Sequence, residues 1–324
     1  YQENIFAAYF NITRDWEQWS LDLGLRAEQT EVRATSKNLG EVNNQYYFEL
    51  FPKMSLLYTA NENNSFGLSY SRSIARPNYE SLNPFRYFIN ENNYTDGNPN
   101  LVPEIDSKYT FSYTHNNTWF LEAYYWHIKN PLEELRFQNN TTRALQNLET
   151  NLIKGYQYSL DLTYAKSVTS WWYLQVVTSG FFIENEFLAQ QSAQQTALAN
   201  TYGFYGQIYS GLVLSEQANI TSDVTALYIS NLIFGSYTYK NQFNLSASVR
   251  KKIWDKKASI TLGVDDIFNT NNIPVVSRYA NQDNGYFART ESRLFRVGFT
   301  YNFGNSKLRD NNREITTKES DRLN

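Results

Sequence analysis

Apolar and polar residues alternate one by one along much of this chain, most regularly near its C-terminal end. Between Ser292 and Phe303, aromatic and aliphatic residues take every second position, and polar residues or glycine take most of the positions between them. A period of two predicts a β-strand whose faces meet different surroundings. In a soluble sandwich the apolar face would pack on another sheet, whereas in a membrane barrel it meets lipid and the polar face meets a wet lumen. The apolar face comprises Phe295, Val297, Phe299, Tyr301 and Phe303.

The same alternation predicts fifteen strands, linked by connections that mostly alternate between short and long. Short turns on one side and longer loops on the other are typical of outer-membrane barrels. We therefore predict an all-β fold, an antiparallel transmembrane β-barrel. The predicted strands are residues 5–14, 19–32, 46–59, 65–74, 108–115, 119–128, 156–164, 171–183, 202–214, 220–229, 233–240, 242–253, 258–264, 277–282 and 292–303.

The connections differ in composition. Residues 34–45 are predicted to form a polar loop, and residues 75–106 form a long connection that is rich in Asn and holds four of the seven prolines. Residues 184–201, rich in Gln and Ala, could hold a helical turn within a long loop. In contrast, Asn116 and Asn117 fit a tight two-residue hairpin turn.

The aromatic residues indicate where the membrane lies, because the chain holds 26 Tyr, 21 Phe and 7 Trp in 324 residues. Five tryptophans flank connections that the alternation assigns to the periplasmic rim, and aromatic rings at one depth form the girdle of a membrane barrel. In this frame the first and last predicted strands run in the same direction, so they cannot pair to close a barrel. Either the count is wrong by one or the chain lacks upstream strands, and we favour the second interpretation. The five are Trp16, Trp19, Trp119, Trp171 and Trp172.

Composition excludes several other classes. The mean hydropathy is −0.57 and no uninterrupted apolar stretch approaches the roughly 18 residues of a membrane helix. A net charge of −3 argues against a nucleic-acid-binding protein. The absence of Cys excludes a disulfide scaffold and thiolate metal sites. Residues 1–10 contain no signal peptide, which suggests a mature chain or a piece of one.

Several segments together resemble the C-terminal barrel region of TonB-dependent outer-membrane receptors, most closely the outer membrane protein beta-barrel family of Bacteroidota. They are residues 70–79 (YSRSIARPNY), 82–85 (LNPF), 97–104 (GNPNLVPE), 264–270 (VDDIFNT) and the closing 295–303 (FRVGFTYNF).

The resemblance implies a domain organisation. Residues 1–304 would be the C-terminal part of a barrel that has about 22 strands around a plugged lumen. Residues 305–324 would be a polar periplasmic tail. The plug and the segment that contacts TonB would lie upstream of this chain.

The resemblance also implies a function, the uptake of a scarce ligand through the bacterial outer membrane. The expected partners are outer-membrane lipid, the TonB complex through the upstream plug, the barrel assembly machinery and, as a further option, other outer-membrane proteins. We expect no enzyme activity, no cofactor and no nucleic-acid partner. The alternative is a structural or assembly barrel in a larger outer-membrane complex, without uptake; a plug and a TonB-contact segment upstream would distinguish the two. A soluble β-sandwich or propeller is disfavoured by the rim tryptophans and the absence of a blade repeat.

One group of candidate site residues lies at or beyond the outer end of a predicted strand, in the longest loop. Arg and Tyr could line a ligand vestibule, since they offer anion contacts and stacking faces. The simpler interpretation is that the X-Pro dipeptides shape a rigid loop start. The group comprises Arg72, Arg76, Tyr79, Arg86 and Tyr87.

A second group lies on the polar, lumen-facing side of the predicted strands. These residues could meet substrate, or they could bind an upstream plug through hydrogen bonds and ion pairs. Two isolated histidines, His115 and His127, do not have the spacing of a metal site, so no metal is expected. The lumen-facing group comprises Asp22, Arg26, Asp161, Asn244, Arg250 and Arg296.

Overall fold

The computed structural model describes residues 2–36, 41–189 and 195–303, and all the regular structure in these ranges is β-strand. The predicted all-β fold class is therefore confirmed. No helix in the described ranges is long and apolar enough to span a membrane. The predicted polar tail, residues 305–324, lies outside the described residues.

Thirteen of the strands found in the described residues form one antiparallel sheet, here called the wall sheet. Its strands are β1 (Gln2–Asp15), β2 (Trp19–Ser36), β3 (Glu41–Asn61), β4 (Asn64–Ala75), β7 (Glu104–His115), β8 (Trp119–Lys129), β11 (Lys154–Ser167), β12 (Trp172–Ala189), β13 (Gln195–Ser215), β14 (Ile220–Ile229), β17 (Gln242–Ile253), β18 (Ala258–Asp265) and β21 (Leu294–Tyr301).

The other eight strands of the described ranges form two four-stranded sheets, here called the outer sheets. The first contains β5 (Tyr87–Asn90), β6 (Asn93–Asp96), β9 (Leu132–Asn139) and β10 (Ala144–Asn151), and the second contains β15 (Leu232–Phe234), β16 (Tyr237–Tyr239), β19 (Ile273–Tyr279) and β20 (Gln282–Ala288).

Each wall strand pairs with the next wall strand along the chain. Because thirteen is odd, β1 and β21 run in the same direction, and among the described residues they do not pair with each other. Antiparallel hairpins need only short turns on one side, which explains the short connections that the sequence shows. At one of them residues 116–118 link β7 to β8, one residue more than a two-residue turn, and Asn116 and Asn117 have the positive φ values, 53° and 49°, that a tight hairpin turn requires.

Two of the fifteen predicted strands lie outside the wall sheet. Residues 233–240 form the β15–β16 hairpin, because Gly235 has a φ of +54° and turns the chain back after three residues. Residues 277–282 span the turn between β19 and β20, where Ala280 has a φ of 48°. Both segments belong to an outer sheet rather than to the wall.

Two predicted loops are shorter than expected. Residues 34–36 and 41–45 extend β2 and β3, and the described parts of residues 184–201 extend β12 and β13 instead of forming a helical turn. Residues 37–40 and 190–194 lie outside the described residues. The added residues of these strands lack the regular alternation of apolar and polar residues on which the prediction relied. Cross-strand pairing holds them extended.

The wall sheet has one apolar and one polar face, as predicted. In the closing strand Phe295 and Val297 are each 80% exposed, so no second layer of the described chain covers this row. The opposite face carries polar residues in register across neighbouring strands, such as Glu122, Asp161 and Ser179. We call the polar side the inner face.

Aromatic rings cluster at the short turns of the wall sheet. Trp19 stacks on Tyr58 with ring centroids 4.3 Å apart, and Trp119 lies 4.5 Å from Tyr164. Trp254, which the sequence analysis did not assign to the rim, lies in the turn between β17 and β18. The rings form an aromatic belt along this end of the wall sheet.

Candidate functional site

The long connection between β4 and β7 folds back onto the inner face of the wall sheet. Asn43 and Gln45 of β3 donate side-chain hydrogen bonds to the backbone carbonyls of Pro99 and Leu101, the second at 2.9 Å. Both donors lie on the polar face of β3, and Leu101 is fully buried. The connection therefore covers part of the outer mouth of the sheet instead of extending freely into solvent.

Arg76 fastens the start of this connection. Its Nη2 lies 2.8 Å from Glu28 Oε2 and donates to Thr30 Oγ1 at 3.2 Å, while its Nε lies 3.5 Å from Glu3 Oε1. Glu28 and Thr30 are buried. A buried carboxylate needs a partner, so Arg76 has a structural task at the mouth.

Arg72 occupies the point at which β3 and β4 separate. Their pairing ends at Lys53, next to Pro52, which has no backbone N–H to donate. Arg72 Nη1 donates to the Leu50 carbonyl, and Nη2 lies 2.5 Å from Glu49 Oε2. The guanidinium thus supplies a hydrogen-bond donor to the Leu50 carbonyl, which lies beyond the last paired residues of β3 and β4.

Tyr87 begins β5 of the first outer sheet, and Arg86 directly precedes it. Arg86 donates two hydrogen bonds to the carboxylate of Asp96, at 2.8 and 2.9 Å, and its guanidinium lies 3.9 Å from the ring centroid of Tyr94. Tyr87 is exposed at the edge strand of that sheet. Tyr79 is also exposed, and its hydroxyl donates to Glu3 at 3.3 Å. The structure therefore brings Arg76 and Tyr79 together at Glu3 and places Arg86 and Tyr87 in a separate element.

Gly97 makes the crossing of this connection possible. A Cβ at this position would lie 1.8 Å from the Asn83 carbonyl oxygen, which no side chain could tolerate without a shift of the backbone. Asn98 N donates to the Ser81 carbonyl at the same crossing. The Gly-Asn-Pro sequence is thus required by a close approach of two backbone segments.

A buried apolar cluster, here called the mouth core, joins the outer sheets to the wall. Phe187 packs against Tyr279 of the second outer sheet, with centroids 4.9 Å apart in an edge-to-face arrangement. Phe187 shares the inner face of β12 with Ser179, because residues an even number apart along a strand point the same way. The outer sheets consequently pack inside the mouth. The mouth core comprises Leu135, Phe137, Leu152 and Phe187.

Polar contacts connect the two outer sheets directly. Tyr279 donates to the Arg136 carbonyl at 3.2 Å, and Gln282 Nε2 donates to the Gln138 carbonyl at 3.1 Å. Burial raises the pKa of Tyr279 to about 12, so the phenol stays protonated and able to donate at neutral pH. The two sheets form one packed cover.

Glu133 lies at the junction of this cover with the wall. Burial, together with the charges of Glu104 and Glu149, raises its pKa to about 7. Within the described residues, no three His, Cys, Asp or Glu side chains are arranged to hold a metal ion. The raised pKa of Glu133 makes the charge at this junction depend on pH near neutrality.

A family model for the "Outer membrane protein beta-barrel family" matches residues 1–301. The chain belongs to this family. A comparison with curated proteins finds no significant sequence match.

Solved structures with the same fold include several receptors and transporters. The siderophore receptor PiuA from Acinetobacter baumannii is 14% identical, with a TM-score of 0.59 over 91% of this chain and 43% of that chain. The ferric-catecholate import receptor Fiu from K12 E. coli is 14% identical, with a TM-score of 0.59 over 93% and 45%. The copper transporter OprC is 10% identical, with a TM-score of 0.63 over 93% and 48%. The chain thus spans less than half the length of these proteins.

Family membership places the wall sheet in the outer membrane, and the register then puts the six lumen-facing candidates on its inner face. Most of them bond within that face. Arg26 pairs with Glu28 at 3.1 Å, and Arg296 pairs with Asp265 at 2.7 Å. Asp161 accepts a hydrogen bond from Ser159 at 2.6 Å. The other contacts are Asp22 with Lys53 at 4.0 Å, Arg250 with Thr261 at 3.2 Å and Asn244 with Ser246 at 3.0 Å.

Asp266 organises the turn after β18, in the VDDIFNT segment that resembles the family. It is fully buried, yet hydrogen bonds from Ser292 and from the backbone N–H groups of Thr270 and Asn271 outweigh the cost of burial and lower its pKa. The role of this segment was not predicted from the sequence. An Asp followed by Asn and Thr within five residues is a turn signal that could have revealed it.

Proposed function

We propose that this chain is the barrel portion of a TonB-dependent receptor that takes up a scarce ligand through the outer membrane. The observation that carries the proposal is the packed cover at the outer mouth. An open channel would leave a wet passage there, whereas here two outer sheets and the β4–β7 connection fold onto the inner face. A covered mouth suits capture of a specific ligand better than passive diffusion.

The likeness to structures named as siderophore and copper transport proteins supports the same role. In this proposal the plug and the TonB-contact segment belong to the part of the receptor upstream of this chain. Energy would come from the inner membrane through TonB, so we expect no catalytic residue. The barrel assembly machinery would insert the protein.

The candidate residues take different tasks in this proposal. Arg72 and Arg76 position the β4–β7 connection, because their guanidinium groups are held by Glu49 and Glu28. Tyr79 and Tyr87 are exposed and would meet the ligand by stacking. The lumen-facing group would contact the plug or the passing ligand.

The test uses the full-length receptor in cells, with a matched deletion strain. Accumulation is measured for a panel of a ⁵⁵Fe-loaded catecholate siderophore, ⁶⁴Cu and ⁵⁷Co-cobalamin, with and without a protonophore. We expect protonophore-sensitive accumulation of one member, and capture of the receptor by the purified periplasmic domain of TonB. Absence of both the accumulation and the TonB capture would overturn the proposal.

A pair of variants localises the contact. Tyr87→Ala should lower accumulation without lowering the folded fraction, which is read as heat-modifiable migration on a gel. Arg76→Gln should instead destabilise the mouth, so the folded fraction or the protease resistance of the mouth should fall before uptake does. Unchanged uptake in Tyr87→Ala would exclude Tyr87 from ligand contact.

A further inference from the structure

The lipid-facing side of the wall sheet carries a continuous row of aromatic rings across six strands. Neighbouring ring centroids lie between 4.6 and 6.2 Å apart. Ring stacking of this kind orders the side chains and makes their lower edge a fixed surface. The row, here called the aromatic row, comprises Tyr70, Tyr109, Tyr125, Tyr158, Phe182 and Tyr202.

Directly beneath the aromatic row lies a hollow of about 750 Å³. It arises because small residues, Ala123 and Gly180, replace large ones on either side of Leu160 in the next row down. A Cβ built on Gly180 would meet no atom within 4 Å. The hollow is open to the membrane and apolar, so an acyl chain fits its chemistry.

Charged side chains stand on the same face at the outer ends of these strands. The strand β8 runs 11 residues from Trp119 to Lys129. At about 3.3 Å per residue and a tilt of about 40°, Lys129 lies about 25 Å above the periplasmic belt, which is the height of the apolar band of such barrels. Lys129 is therefore at headgroup level.

Lys129 pairs in register with Lys154, so two ammonium groups share this level. Lys154 lies 2.9 Å from Glu186, and Glu184 stands one pair further down the same face of β12. Among the described residues Lys129 forms no ion pair. An ammonium group has three donors, so Lys154 keeps one after its contacts with Glu186 and Tyr156, and together with Lys129 it can hold phosphate oxygens.

We propose that this face binds one molecule of a phosphate-bearing, acylated glycolipid of the outer leaflet, of the lipid A type. One acyl chain fills the hollow at Ala123 and Gly180, and the phosphate meets Lys129 and Lys154. The tyrosine hydroxyls of the aromatic row lie between these levels, where they meet the polar linkages of the lipid. The two lysines thus match the phosphate of the lipid, and the hollow matches one of its acyl chains.

The test uses the full-length protein in nanodiscs of phosphatidylethanolamine and phosphatidylglycerol with added purified lipid A. Native mass spectrometry after mild release counts the lipid A that stays bound. We expect about one molecule per wild-type protein, and at least a tenfold loss of retention in Gly180→Leu and Ala123→Leu. Ala226→Leu, on the lipid-facing side of β14, is the matched control and should retain lipid A as the wild type does.

A second arm tests the headgroup. Lys129→Gln with Lys154→Gln should bind lipid A only as well as the wild type binds dephosphorylated lipid A, whereas Lys251→Gln, at the opposite end of the wall, should have no effect. Heat-modifiable migration on a gel confirms that each variant is folded. Full retention of lipid A by folded Gly180→Leu, or equal retention of phosphatidylglycerol by the wild type, would overturn the proposal.

Discussion

The lipid-facing side of the wall and the mouth core use the same kinds of side chain in opposite ways. In the closing strand Phe295 is 80% exposed, while in the mouth core Phe137 and Phe187 are 1% and 0% exposed. The difference lies in the surroundings of each region. Lipid solvates an apolar ring within the membrane, whereas beyond it water drives the ring into a core.

A single strand, β12, contains both kinds of surroundings, lipid along one part and water beyond it. Within the membrane its even-numbered residues, such as Phe182, face lipid. Beyond the membrane the same face carries Glu184 and Glu186, and the ring of Phe187 lies on the inner face instead. The polarity of the two faces therefore inverts where the strand leaves the bilayer.

The largest expected effect comes from emptying the mouth core. Phe137→Ala should destabilise the cover by about 3–5 kcal/mol, because the removed ring leaves a cavity. Hydrogen exchange of β9, β10 and β19 should speed up while exchange in the wall stays unchanged. Phe204→Ala, at a 45% exposed lipid-facing position, is the control, since lipid can fill the space. Equal effects of the two substitutions would contradict the comparison.

An added charge should destabilise the wall far more on its lipid-facing side than on its inner face. Leu160→Arg, on the lipid-facing side, should cost about 2–4 kcal/mol near mid-membrane. Thr163→Arg, three residues away on the inner face, should cost little. Urea unfolding in lipid vesicles gives both values. A large cost for Thr163→Arg with none for Leu160→Arg would reverse the assignment of the faces.

The mouth alone should respond to pH near neutrality. Glu133 has a pKa of about 7 in the folded state, above the ordinary glutamate value of 4.5, so folding favours its protonated form. The stability of the cover should be highest below pH 4.5, fall as the pH rises to about 7 and stay constant above that, a change of at most about 3 kcal/mol. Hydrogen exchange of β9 at several pH values measures this. Glu133→Gln should remove the dependence, and a wild-type profile that is flat between pH 4.5 and 7 would refute the explanation.

The smallest expected effect contrasts two glycines on neighbouring strands. Gly203→Ala should cost about 1 kcal/mol, because a Cβ there would lie 2.1 Å from the ring of Phe181 and the ring must move. Gly180→Ala should be neutral, since the space around it is open. Thermal unfolding in detergent compares them. A costly Gly180→Ala would mean that the hollow is filled by protein.

The sequence predicted the wall better than the mouth. Residues 156–164 alternate because one face of the strand meets lipid and the other meets water. This pattern is visible within a single strand, so the sequence alone predicts it. Residues 233–240 also alternate, yet Gly235 turns them into a hairpin. Alternation alone therefore does not distinguish a wall strand from a short strand of an outer sheet.

The candidate site depended on contacts between distant residues, which no local pattern reveals. Arg76 meets Glu28 across 48 positions of sequence, and Gln282 meets Gln138 across 144. Arg86 was a good candidate by residue type, but its pairing with Asp96 becomes visible only in the fold. The mouth core was missed because its residues come from three separate segments.

A scan of single cysteines along β11 tests the two-sided wall most directly, because the chain has no native Cys. Each position from 157 to 163 is labelled with a fluorophore in the refolded full-length protein, and quenching by a lipid-linked quencher is measured. We expect strong quenching at the even positions, such as Leu160→Cys, and weak quenching at the odd positions, such as Asp161→Cys. Equal quenching at successive positions, or stronger quenching at the odd ones, would contradict the account.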